Sequence, residues 1–125
     1  RAEKATGVKI SKGEVVLIRT GYSTYYNTDP TRYVENHPGV SLNGAKWLSS
    51  KKVSLCGTDN LAFEALPSTT YPVHVELLVN SGIHILKNLN LEELAKKKIY
   101  EFLFVLAPLK LTGATGSIVR PIAMA

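Results

Sequence analysis

Three histidines are the residues of this chain best suited to bind a metal ion or to transfer protons. His74 falls in the first turn of an expected helix, and His37 lies in a loop. His84 falls in an expected strand, where its alternation with Ile83 and Ile85 turns it away from them. A hydrolytic metal ion takes about three protein ligands and one open position for water. A new metal site built from the three histidines is disfavoured. For His74 two alternatives stay open: a packed side chain or a metal ligand.

Nucleophilic chemistry has weaker signals. Cys56 is the single cysteine, which excludes an internal disulfide and a thiolate metal cluster. It lies in an apolar run without basic neighbours, so a buried, inert thiol is predicted. The sequence has no Gly-x-Ser-x-Gly motif, and the glycine-containing stretch 112–116 lacks the Lys-Ser/Thr ending of a phosphate-binding loop.

Two polar stretches leave alternatives open. Asp59 follows an expected strand, at a position where α/β proteins often build their sites. Aspartate also caps turns, and that interpretation is favoured for Asp59. The stretch 20–30 is a loop rich in tyrosine, which either lines a pocket or packs as a lid over the core.

Short apolar runs alternate with capped amphipathic segments, a pattern that predicts a mixed α/β fold in a single domain spanning 1–125. Strands are expected near 14–19, 53–57, 83–87, 100–107 and 118–123, and helices near 41–51, 72–80 and 91–97. The segment 1–12 is expected to be a helix end leading into a turn. Ser41 and Asn90 are the expected N-caps of two helices, and Pro121 places the last strand at an edge or a strand end.

The stretch 72–88 organises the rest of the chain. Pro72 is a natural first helical residue, because its missing N–H would be unpaired there in any case. Val73, Leu77 and Leu78 are expected to share one apolar face of the helix. Gly82 then ends the helix, since glycine tolerates the left-handed conformation.

Charge and composition narrow the function classes. The formal net charge is +5, yet the basic residues are scattered and form only the short runs 51–52 and 96–98, so nucleic-acid binding is not expected. The sequence has no signal peptide and no apolar stretch near 18 residues, which predicts a soluble, cytoplasmic protein that does not enter a membrane. Arg1 is not an initiator methionine, so the chain is expected to begin within a longer or processed product.

Six stretches, taken in order, carry a family resemblance: Gly-Glu-Val-Val-Leu-Ile-Arg-Thr-Gly-Tyr at 13–22, Pro-Gly-Val-Ser at 38–41 with Trp-Leu at 47–48, Gly-Thr-Asp at 57–59, Pro-Val-His at 72–74 with Leu-Leu at 77–78, Gly-Ile-His-Ile at 82–85 with Asn-Leu at 88–89, and Pro-Leu-Lys at 108–110 with Gly-Ser at 116–117 and Val-Arg-Pro at 119–121. Together they resemble the C-terminal part of the cyclase-like, kynurenine-formamidase-like family of metal-dependent hydrolases. The resemblance implies a compact swivelling β/β/α fold and hydrolysis of amide, lactam or related bonds, as in N-formylkynurenine or isatin.

The departures from the family pattern bear on the metal. The family's His-Gly-Thr-His-x-Asp motif, which belongs to an N-terminal half, does not occur in this sequence. The resemblance assigns a zinc or manganese ligand to His74 and a ligating glutamate to the position of Lys87. An ammonium group cannot ligate a divalent cation and repels it. The family's Gly-Ser-Pro-Val-Arg pattern is also altered, with Ile118 in the proline position.

Two hypotheses follow from the resemblance. In the first, the chain is the C-terminal portion of a hydrolase, inactive alone, with the N-terminal half on another chain and a small-molecule amide as substrate only once the site is completed. In the second, it is a non-catalytic remnant that binds itself or a partner. Both predict association, because an uncovered sheet leaves apolar surface exposed.

Overall fold

The computed structural model describes residues 2–125; Arg1, at the start of the expected segment 1–12, lies outside them. Its central sheet consists of three parallel strands in the order β1 (Val15–Ile18), β2 (Leu55–Thr58) and β3 (His84–Leu86). In the register, Val16 lies opposite Cys56, and Cys56 lies opposite Ile85. Both faces of a parallel sheet are normally covered, which explains the continuous apolar run of β1 and the complete burial of β2.

The helices are short. Their bounds are α1 (Ala2–Thr6), α2 (Tyr25–Thr28), α3 (Pro30–Glu35), α4 (Leu42–Ser50), α5 (Pro72–His74) and α6 (Glu92–Lys96). The segment 22–28 begins as a 3-10 turn (Tyr22–Thr24) and continues into α2. The segment 72–80 begins as α5 and continues as a π-helical segment (Val75–Asn80).

The C-terminal part forms a separate antiparallel ribbon of β4 (Leu103–Val105) and β5 (Ile122–Met124). Both strands are shorter than the predicted 100–107 and 118–123. Pro121 immediately precedes β5, as expected of a proline that cannot donate to a ladder. The mixed α/β fold class is confirmed, and the three central strands and the helices near 41–51, 72–80 and 91–97 lie close to their predicted positions.

The core has two layers, one on each face of the central sheet. Side chains of alternating strand residues separate between them, since successive residues point to opposite faces. The larger layer consists of Ala45, Leu48, Val53, Cys56, Phe63, Val73, Leu77 and Ile83, and the smaller of Leu55, Leu86, Leu89 and Leu91. Cys56 is fully buried, as predicted, and burial raises the pKa of its thiol to about 12.

Two sequence predictions are wrong in detail. Leu78 does not share the buried face of Val73 and Leu77: those two side chains are buried, whereas Leu78 is exposed. The stretch predicted as a loop at 20–30 contains the 3-10 turn and α2, and α3 begins at Pro30, where the Asp29 side chain accepts a hydrogen bond from the backbone N–H of Arg32.

Two N-cap predictions have different outcomes. Ser41 caps α4 by accepting a hydrogen bond from the backbone N–H of Gly44, as predicted. The N-cap of α6 is Leu91, although the Asn90 side chain still accepts a hydrogen bond from the backbone N–H of Glu92. No helix among residues 2–125 is both long and apolar enough to cross a bilayer.

Candidate functional site

Asp59 lies just beyond the end of β2, and its carboxylate is fully buried. Oδ1 accepts hydrogen bonds from the backbone N–H of Thr20 at 2.8 Å and from its hydroxyl at 2.6 Å. Oδ2 accepts one from the backbone N–H of Gly21 at 2.7 Å. Asp59 therefore links the segment after β1 to the end of β2. Its role is structural, but it joins two segments that are distant in sequence instead of capping a local turn.

Asn60, the next residue, holds two further segments together. Its side-chain amide donates to the carbonyl oxygen of Pro38 at 2.5 Å, and its Oδ1 accepts from the backbone N–H of Phe63 at 2.7 Å. Gly39 is essential to this arrangement, because a Cβ there would lie 2.2 Å from the carbonyl carbon of Glu64. The segment after β2 is thereby fixed against 37–40, and Glu64 is carried to a defined place.

Glu64 and His74 form a close pair. Glu64 is 3% exposed, and its Oε2 lies 2.5 Å from Nδ1 of the His74 ring. The same oxygen accepts from the backbone N–H of His74 at 3.1 Å, while Oε1 accepts from the hydroxyl of Ser68 at 2.9 Å. Tyr71, the N-cap of α5, makes no side-chain capping bond, so Glu64 takes over that task from a distant part of the chain.

Glu64 is ionised in this environment. Burial alone would raise its pKa, but hydrogen bonds from the His74 ring, the Ser68 hydroxyl and the His74 backbone N–H outweigh burial, and the pKa is lowered. A carboxylate paired with imidazole in this way orients the ring and leaves Nε2 for a second partner. The His74 side chain is 18% exposed, and its one ring hydrogen bond among residues 2–125 is made at Nδ1. The pair is therefore suited to present one imidazole nitrogen to a metal ion or a proton donor.

The other two histidines have different surroundings. His37 is buried; its Nδ1 lies 3.0 Å from the carbonyl oxygen of Pro38, and its Nε2 is buried without a hydrogen-bond partner among residues 2–125. His84 is exposed on β3, and Lys87 is exposed just after that strand. Within residues 2–125 no three histidine, cysteine, aspartate or glutamate side chains are grouped closely enough to hold a metal ion.

The tyrosine-rich segment packs on itself. The ring centroids of Tyr22 and Tyr33 are 6.5 Å apart, and those of Tyr22 and His37 are 6.1 Å apart. The hydroxyl of Tyr33 lies 2.8 Å from Oδ1 of Asn88 and 3.2 Å from the carbonyl oxygen of Asp59. Burial, assisted by the charge of Asp59, raises the pKa of Tyr33, which keeps the phenol a neutral donor. These contacts indicate that the tyrosine-rich segment packs as a lid over the core and does not line a pocket.

Sequence reasoning singled out His74 and Asp59 but missed Glu64, Asn60 and Gly39. Glu64 did leave a signal, since it is the single charged residue in the apolar run 61–66. A charged residue there needs a partner if it is buried, but the sequence does not say which one.

Comparison with known families and solved structures gives consistent results. The sequence model of the family described as "Putative cyclase" matches residues 1–65. A search of curated proteins finds no match.

Three solved structures are similar over nearly the whole chain. A novel cyclase is 32% identical with a TM-score of 0.89, and the match covers 99% of this chain and 44% of that one. An isatin hydrolase bound to the product analogue thioisatinate is 26% identical with a TM-score of 0.81, covering 98% and 49%. A structure described as a potential metal-dependent hydrolase with cyclase activity, 24% identical with a TM-score of 0.74 over 97% and 55%, shows the shared fold. This chain spans about half the length of these structures.

Proposed function

Since the chain belongs to the cyclase family, we propose that it forms the C-terminal portion of a metal-dependent hydrolase of amide or lactam bonds and is inactive alone. N-formylkynurenine-like amides are the substrate class we propose for the completed enzyme. The isatin hydrolase among the similar structures supports lactam-type chemistry, because isatin is a cyclic amide. The coverage of 44% to 55% of the similar chains supports the view that further sequence completes the enzyme.

The Glu64–His74 pair is the observation that carries this proposal. Metal-binding imidazoles commonly donate a hydrogen bond from the other ring nitrogen to a carboxylate, and the buried Glu64 carboxylate accepts such a bond from Nδ1 of the partly exposed His74. We assign His74 as the one ligand that this chain contributes. The ion would be zinc or manganese in the complete protein, where it would supply an activated water.

The residues of this chain alone do not fit a hydrolytic metal ion. Such an ion needs about three protein ligands, and residues 2–125 group no three suitable side chains. Lys87 adds a positive charge near the place where the resemblance puts a glutamate ligand. The remaining ligands must come from another segment or another chain, so no catalytic step is assigned to this portion by itself.

A non-catalytic role in association is the second candidate, and one observation favours it. Leu103 is 62% exposed and Met124 is 49% exposed, and the two lie opposite each other across the β4–β5 ribbon. An apolar face of this kind is suited to contact a second copy or a separate chain that carries the N-terminal half. In the first case the chain is a homo-oligomer, and in the second it is one part of a two-chain enzyme.

The proposal is tested by an amidase assay on the purified chain, refolded with zinc and separately with manganese. N-formylkynurenine and isatin are the substrates, and we expect no turnover above buffer. Adding a separately expressed N-terminal half of the similar novel cyclase is expected to give metal-dependent turnover that His74→Ala abolishes. His84→Ala, at an exposed position on β3, is the matched control and should keep that turnover. Turnover by the chain alone that His74→Ala removes would overturn the claim of inactivity.

A further inference from the structure

We infer that Glu64 is a positioning residue that sets the tautomer of His74, placing the proton on Nδ1 and the lone pair on Nε2. The inference rests on the proposed function, because the lone pair matters only where His74 meets a metal ion or a proton donor. Glu64 acts through His74 and is not itself assigned a contact with substrate.

The hydrogen-bond chemistry leaves one choice at the ring. Both carboxylate oxygens of Glu64 already accept hydrogen bonds, Oε1 from the Ser68 hydroxyl and Oε2 from the His74 backbone N–H, so Nδ1 is the donor across the 2.5 Å that separate it from Oε2. A neutral imidazole carries a single N–H, and the tautomer is set by the bond that one nitrogen makes. Nε2 therefore holds an unshared electron pair whenever the ring is neutral.

The same oxygen of Glu64 also fixes the ring relative to the helix. Oε2 bonds the backbone N–H of His74 at 3.1 Å as well as Nδ1, so backbone and imidazole of one residue share one acceptor. Capping α5 requires only the first of these bonds. The second restricts rotation of the ring and holds Nε2 in a constant direction.

Glu64 can do this because its own backbone is fixed. The backbone N–H of Val40 donates to the carbonyl oxygen of Phe63 at 2.9 Å, and that of Leu66 donates to the carbonyl oxygen of His37 at 3.1 Å. Asn60 and the close approach of Gly39 complete the attachment. The carboxylate is thus mounted on a segment that is bonded on both sides of it.

The test is the tautomeric state of His74, read from long-range proton–nitrogen NMR spectra of the intact chain labelled with nitrogen-15. The pH is set near 9, where an ordinary imidazole is neutral. The chain has three histidines, so the signals of His37 and His84 in the same spectrum serve as references for the tautomer of His74. His37, whose Nδ1 faces a carbonyl oxygen, should show the Nδ1–H tautomer, and exposed His84 should show the mixture of tautomers of an imidazole in water.

We expect at least about a tenfold excess of the Nδ1–H form at His74, which is the scale of a hydrogen bond to a charged group. Glu64→Ala should move His74 to the mixture seen at His84. Ser68→Ala is the matched control, because it removes the 2.9 Å bond to Oε1 and leaves Oε2 on the ring. It should leave the His74 tautomer unchanged.

The inference is overturned if wild-type His74 carries its proton on Nε2, or if a folded Glu64→Ala variant keeps the Nδ1–H form. The wild-type spectrum decides by itself if Glu64→Ala does not fold. No metal or substrate enters this measurement, so its failure is separate from a failure of the amidase test.

Discussion

The buried carboxylate of Glu64 links the candidate site to the stability of the fold. Its folded pKa is lowered from the ordinary value of 4.5, which is the value expected in the unfolded chain. The resulting stabilisation is present above the unfolded pKa and is lost as the pH falls through the lower folded pKa. We therefore expect wild type to lose stability more steeply than Glu64→Gln as the pH falls from about 5 into the acidic range, because the glutamine amide does not titrate there. Urea unfolding across that range measures the difference, and parallel slopes for the two proteins would contradict it.

Individual residues of the site were only partly predictable. His74 and Asp59 were recognisable because both stand at ends of expected elements. The partner of His74 was not, because Glu64 is ten residues away and reaches the ring only through the path of the segment after β2. That path depends on Asn60 and Gly39, whose contacts with 37–40 cross the fold and leave no periodic pattern in the sequence.

Among the elements, the crossing of 37–40 over the segment after β2 is the most sensitive to substitution. A Cβ at Gly39 would lie 2.2 Å from the carbonyl carbon of Glu64 and 2.3 Å from the backbone nitrogen of Ala65. Backbone atoms cannot turn aside, so we expect Gly39→Ala to lower the free energy of unfolding by at least about 2 kcal/mol. The midpoint of chemical denaturation measures this.

Gly116 provides the matched control for that substitution. A Cβ there would meet nothing within 4 Å, so Gly116→Ala should change the free energy of unfolding by no more than about 0.5 kcal/mol. Equal effects of the two substitutions would show that the close approach at Gly39 is not a constraint.

The elements predicted most accurately are those with continuous apolar runs. β1 is an unbroken apolar segment and β2, the central strand, is buried throughout, as is typical of strands covered on both faces. The strands of the β4–β5 ribbon were predicted too long. The apolar run at 100–107 indicates a longer strand, but β4 pairs with a single short strand, β5. The short helices at 22–35 were missed since their tyrosines and small polar residues follow no helical period.

At the scale of the whole molecule, the β4–β5 ribbon leaves one apolar face open. Leu103 pairs with Met124 and Val105 pairs with Ile122, and all four side chains are at least 40% exposed. Contiguous exposed apolar residues usually mark a contact with another chain. We expect the purified chain to sediment above its monomer mass at high concentration, through this face.

Substitutions at exposed apolar residues test whether association depends on this face of the ribbon or on another part of the surface. Leu103→Ser with Ile122→Ser should shift the chain to monomer in sedimentation velocity. Val79→Ser, at a residue that is 76% exposed on the π-helical segment, should not. A wild-type chain that is monomeric at high concentration, with no partner in the preparation, would contradict the prediction.

Metal binding by the isolated chain tests the central claim most directly. The chain is dialysed to equilibrium against zinc and, separately, manganese, desalted, and analysed for bound metal per chain. We expect far less than one ion per chain for wild type and equally little for Lys87→Glu, because one imidazole and one added carboxylate still fall short of about three ligands. One tightly bound ion per wild-type chain, lost in His74→Ala and kept in His84→Ala, would contradict the account and show that this portion holds a complete metal site.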